Sequence, residues 1–291
     1  MNKNFLLIIS LLLSTNLFIK SAEPIGIRGV PEGKSFIPKE DLETEEQTFQ
    51  PKLLENIATE KCSQLLFQAI QENNIGAVSD ILNNPDLIVE KFINLQTQQG
   101  NTALMFASRN GHTDTARLLI EAGANVNMQD NQGLTALMFA SQNGHTDTAR
   151  LLISSGADVN TQDQQGITAL MYAEFNVHTD TSMLLIDSGA NVNLQTQPGG
   201  TALMYATNNG HTDMARLLIE RGADVNTQDQ QGITALMIAT NNGHTEIVRL
   251  LIDGGANIDM QDQQGQTALM LATRHGHIEV VNLIQQHLQD Q

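Results

Sequence analysis

Six histidines, His112, His145, His178, His211, His244 and His277, stand 33 residues apart, and six methionines, Met105, Met138, Met171, Met204, Met237 and Met270, keep the same interval. Imidazoles bind zinc and thioethers bind Cu(I), so each row is a candidate metal site. Asp130, Asp163, Asp229 and Asp262 open loops of the Asp-Gln-Gln-Gly type, superficially like the start of a calcium loop. The interval argues against all three chemistries. Packed helices sit about 8–10 Å apart, whereas a metal–nitrogen bond is about 2 Å long, so neither row gathers around one ion. A calcium loop alternates several carboxylates over about twelve residues. Here a single Asp is followed by amides, and Thr97 and Thr196 replace it in two copies. No nucleophile, base and acid converge, and no Gly-rich phosphate loop lies between a strand and a helix. Near-identical copies do not supply the different residues that one reaction site requires. The reading is a non-enzymatic chain with no catalytic residue, no cofactor and no metal, in which methionines fill a core and aspartates open turns.

The elements that carry these rows follow from the period. Thr-Ala-Leu-Met occurs six times, from Thr102 to Thr267, each copy 33 residues after the last. A strict period of this size means stacked units sharing one continuous core. In the copy from Asp130 to Gln162, a turn with Gly133 leads to Thr135, which caps a first helix from Ala136 to about Ala140. Asn143-Gly144 ends it. A second helix from about His145 to Ser155 carries Asp147 in its first turn and Ala149, Leu151, Leu152 and Ile153 on its apolar face. Gly156 stops it. Helices this short do not persist alone, so stacking is obligatory.

Composition bounds the partners. With 15 Lys+Arg against 32 Asp+Glu the net charge is -17, which disfavours nucleic acid and anionic membrane surfaces. Lys3 followed by the mostly apolar stretch Phe5–Ile19 reads as an export signal, short for a bilayer span, with Ser21-Ala22 offering small residues for cleavage. Residues 1–22 are therefore expected to be a signal peptide, and the chain to be exported, periplasmic or secreted. Membrane association follows only if the apolar segment stays uncleaved. Residues 23–62, with four prolines and the acidic run Glu40–Glu46, read as an extended linker. Helical spacing resumes near Ser63 in a diverged leading unit, 63–96, before six repeats in 97–291. The last repeat is expected to act as a cap ending in a polar, shortened helix around Gln285-Gln286-His287. Cys62, the single cysteine, makes no internal disulfide.

Asp-x-x-Gly-x-Thr-x-Leu, then Gly-His-Thr-Asp, then Leu-Leu-Ile-x-x-Gly-Ala-Asp-Val-Asn resembles the ankyrin repeat, from about Ser63 to Leu288. Ala136 and Met138 depart from the Pro and His usual in that family, and the Thr-Ala-Leu-Met form is similar to that of exported bacterial members. The resemblance implies an all-α solenoid of stacked helix–turn–helix units with projecting β-hairpin-like loops, and makes the recurring His structural. It also implies a protein-binding scaffold with no small-molecule substrate, which contacts its partner through loop tips and the exposed side of the first helices. Those positions are Gln132, Gln165, Gln231 and Gln264 at the tips, and Arg109, Gln142, Phe175, Asn208, Asn241 and Arg274 on the helices. The third repeat departs from its neighbours at Glu174, Phe175, Val177, Ser182 and Met183, and Phe175 is the preferred contact. A secreted factor binding a host protein and a membrane-tethered spacer are the alternative roles.

Overall fold

The computed structural model describes residues 59–85 and 87–289; the expected signal peptide and most of the expected linker lie outside them. The chain divides into two bodies, Met1–Leu95 and Gln96–Gln291. In the first, helix α1 covers 59–71, so helix already runs through residues 59–62, which the sequence reading gave to the linker. Burial explains the earlier start, because Cys62 and Ser63 turn inward with Leu66, Ala69 and Ile70. Helix α2 (Ile75–Leu82) is capped by Asn74, whose side chain accepts from the Ala77 N–H at 3.0 Å.

The second body is all helical among its described residues. First helices are α3 (Ala103–Arg109), α5 (Ala136–Gln142), α7 (Ala169–Phe175), α9 (Ala202–Asn208), α11 (Ala235–Asn242) and α13 (Ala268–His275). Second helices are α4 (Thr113–Glu121), α6 (Thr146–Ser154), α8 (Thr179–Asp187), α10 (Thr212–Glu220), α12 (Thr245–Asp253) and α14 (Ile278–Gln289). Each first helix packs on its own second helix, and successive first helices pack on one another from α3 to α13. Every Thr of the Thr-Ala-Leu-Met phrase caps its helix by accepting from the Met N–H, as Thr135 does from Met138 at 3.3 Å. In the first two repeats the Met sulfur also accepts from the Thr N–H, Met105 Sδ at 3.3 Å and Met138 Sδ at 3.5 Å. Five of the six repeated methionines are buried, as core filling requires; Met270 is exposed.

The loops close as hairpin turns without forming strands. The Asp130 N–H donates to the Leu134 oxygen at 2.9 Å, and the Gly133 N–H to the Asp130 oxygen at 3.0 Å. The closing helix corrects one expectation. Helix α14 spans 12 residues against nine in α6, so it is the longer element and not a shortened one. The glycine that stops each earlier second helix has no counterpart there, and Gln285 and Gln286 favour helix.

Candidate functional site

The loop-opening aspartates and three of the repeated histidines are committed to holding the stack. Asp130 Oδ1 accepts from the N–H groups of Gln132 at 2.8 Å and Leu134 at 2.9 Å, and Asp163, Asp229 and Asp262 do the same in their own loops. Where Thr replaces Asp, the Thr97 and Thr196 hydroxyls accept from Asn101 and Gly200. These carboxylates stabilise turns, as their sequence context indicates. Three of the six histidines bridge repeats: ring Nε2 of His145, His178 and His277 lies 3.0, 3.1 and 3.0 Å from the backbone oxygens of Arg109, Gln142 and Asn241. Each satisfies a carbonyl at the end of the preceding first helix, where helices leave acceptors without intrahelical partners. Among the described residues no group of three or more His, Cys, Asp or Glu is placed to hold a metal ion.

The loop tips split into two kinds of amide. Asn131, Gln164, Gln230 and Gln263 donate their side-chain N–H to a backbone oxygen of the preceding tip, at 2.6–2.9 Å. Backbone bonds parallel them, such as the Gln164 N–H to the Gln132 oxygen at 3.0 Å. These side chains are mortar between repeats. The predicted contact residues Gln132, Gln165, Gln231 and Gln264 sit one position later, exposed, and make no side-chain hydrogen bond among the described residues. They remain available to a partner.

The first-helix positions are also exposed: Arg109, Gln142, Phe175, Asn208, Asn241 and Arg274. They differ in what they touch. The Arg109 guanidinium lies 4.1 Å from the centre of the Phe139 ring, a cation–π contact that fixes it, and Arg274 donates to Gln266 Oε1 at 3.1 Å. Phe175 is 63% exposed and meets the Tyr205 ring edge to face, centroids 6.1 Å apart at 84°. Tyr172, half-buried one turn back on the same helix, donates its hydroxyl to Asp163 Oδ2 at 2.6 Å. Burial first, then that carboxylate, raises the Tyr172 pKa above its ordinary value. The tyrosines were not singled out from sequence. The signal was there, in the aromatics recurring at Phe106, Phe139, Tyr172 and Tyr205.

Glu174 does not join this surface. It is 1% exposed, at the position of Ser108, Ser141 and Thr207, and faces the core. Burial pushes its carboxyl up to about 7, partly offset by Ser182 on α8, yet Glu174 Oε1 and Ser182 Oγ both lack a partner of normal hydrogen-bond geometry. Val177 is exposed with φ +68, a left-handed backbone where neighbouring repeats carry glycine. At Gly111, Gly144 and Gly243 an added Cβ would fall 2.6, 2.5 and 2.7 Å from Nδ1 of the next repeat's histidine. A real Cβ at Val177 therefore keeps the His211 ring from the usual seat, and His211 makes no ring bond to Phe175. Asn209 takes over, its amide donating to the Glu174 oxygen at 3.0 Å and the Phe175 oxygen at 3.3 Å. The exchange recurs one junction on, where Asn242 reaches the Asn208 oxygen at 3.4 Å although Gly210 leaves room. The rearrangement is thus not confined to the valine.

Turn, capped first helix and second helix recur at one period through the body. The sequence matches the family described as Ankyrin repeats (3 copies) over residues 66–163, 155–229 and 222–291. The chain belongs to the ankyrin-repeat family. A comparison with curated proteins finds no match. Ankyrin repeats are in general protein-interaction modules, and the exposed first-helix and tip positions of this ankyrin array are where such an interaction has side chains to use.

Proposed function

We propose that the array is an exported, non-catalytic scaffold that binds a protein partner across its first-helix face, with Phe175 as the anchor. The observation that carries this is the large exposed area of Phe175, braced by Tyr205 in a row otherwise made of amides and two arginines. Aromatic side chains supply much contact area for little conformational entropy and dominate binding energy where they occur in a polar surround. The unbonded amides of Gln132, Gln165, Gln231 and Gln264 would add orientation at the tips. Binding rather than catalysis is favoured because His145, His178 and His277 and the loop-opening Asp130, Asp163, Asp229 and Asp262 already serve backbone groups. Export rests on Lys3 and the apolar stretch Phe5–Ile19.

Crosslinked purification identifies the partner, and Phe175→Asn, the kind of residue found at Asn208 and Asn241, tests the anchor. Loss of partner binding with an unchanged melting curve is expected; unchanged affinity retires the proposal. N-terminal sequencing by cell fraction separates the roles. A cleaved chain in periplasm or medium is expected, and an intact one in membranes would instead make the protein a tethered spacer.

A further inference from the structure

One pair of positions holds different couples at different junctions of the array. At the first junction the Arg109 guanidinium lies 4.1 Å from the centre of the Phe139 ring. Two periods on, Phe175 stands at the position of Arg109 and Tyr205 at that of Phe139. A ring therefore replaces the cation, and the two rings meet edge to face with centroids 6.1 Å apart. That arrangement covers at most one face of Phe175, which stays 63% exposed. Between these junctions the same positions hold Gln142 and Tyr172, so no cation stands opposite Tyr172 either. Burial first, then Asp163 and Asp130, raises the Tyr172 pKa, so two carboxylates act on this aromatic patch. No lysine follows Lys91, and Arg109 and Arg274 are the only arginines on first helices. Both are engaged, by Phe139 and by Gln266. Among the described residues, no lysine or arginine is seated on Tyr172, Phe175 or Tyr205.

We infer that the partner seats an arginine on the exposed face of Phe175, repeating between two chains the contact that Arg109 makes within one. The inference rests on Phe175 as the anchor and adds the chemistry of what that anchor holds. A guanidinium is planar, always charged and more weakly hydrated than an ammonium, so it stacks on a ring at small desolvation cost. The ring quadrupole attracts it, and Asp130 and Asp163 add a Coulombic pull that salt weakens. The net charge of -17 draws basic segments to the chain over a longer range. An acidic or purely apolar segment gains none of these terms.

Panning a display library of short random peptides on the full chain tests this, with binders resynthesised and their affinities measured by fluorescence anisotropy. Binders are expected to share an arginine and to weaken as salt is added. Replacing that arginine by citrulline, its uncharged isostere, is expected to weaken binding at least about tenfold. Phe175→Leu keeps an apolar side chain without a ring and is expected to cost about three- to tenfold in affinity. Phe175→Arg rebuilds the Arg109–Phe139 couple on Tyr205 and is expected to abolish binding, with circular dichroism and melting unchanged. Binders that need Phe175 but contain no arginine, or that bind equally as citrulline peptides, would overturn the inference and leave Phe175 an anchor for other chemistry. Absence of any binder that depends on Phe175 would overturn the inference and the anchor together.

Discussion

The junction between the second and third repeats and the junction between the third and fourth are built from the same period but held differently. In the former, Gly144 makes room for His178, whose ring reaches the Gln142 oxygen at 3.1 Å, and Thr146 meets Thr181 at 2.8 Å. In the latter, Val177 fills the room, Asn209 replaces the ring, and Met214 stands where a threonine would receive Thr179. What survives the exchange is common to both: the Gln197 N–H to the Gln165 oxygen at 2.7 Å, and the Asn193 side chain donating to the Gly222 oxygen at 2.9 Å. Each interface of a stacked array is thus secured by several independent ladders, so one can be rewritten while the stack persists. The rewritten junction is also the one beneath Phe175.

The largest contrast concerns Glu174 against Ser141, its counterpart in the second repeat. A carboxyl whose folded pKa is about 7, above the ordinary 4.5, holds its proton more tightly when folded. Its contribution to stability is full below pH 4.5, is lost as pH rises to about 7, and is flat beyond. Over that window the loss is about 3 kcal/mol at most. Glu174→Gln should flatten this part of the pH–stability profile, measured by denaturant melts; an unchanged slope would place the carboxyl in water. Next comes exchange of the turn residue. Gly144→Val should cost about 2–3 kcal/mol, from left-handed strain and a lost ring bond, while Val177→Gly should gain about 1–2 kcal/mol. Equal and small effects in both directions would mean that the turns are equivalent. The smallest contrast is in the histidines: His145→Ala should cost about 1 kcal/mol, and His211→Ala less, because only the first ring holds a carbonyl. The two melting temperatures read this directly.

Much of the fold was legible because the repeat averages out local ambiguity. Thr135 as a cap, Gly156 as a stop and Asp130 as a turn residue are local chemistry, decided within four residues of chain. The candidate surface was legible only in part. Phe175 stood out as an aromatic among amides, but the division of tip amides between Gln164, which bonds the previous loop, and Gln165, which does not, depends on a neighbour 33 residues away. Glu174 stands out in the sequence as a departure of the third repeat, but its burial was not legible for a related reason. A charged residue beside an exposed phenylalanine looks like surface, and only the pitch of α7 turns it inward.

The spacing of Thr-Ala-Leu-Met alone determined the stacked architecture and the role of the methionine row in its interior, since a fixed period of short amphipathic helices has one way to bury its apolar faces. Tertiary packing decided which members of each row are covered. Met270 and Ile278 carry side chains no different from those of a core, and they are exposed because burial requires a neighbour that no residue can supply for itself.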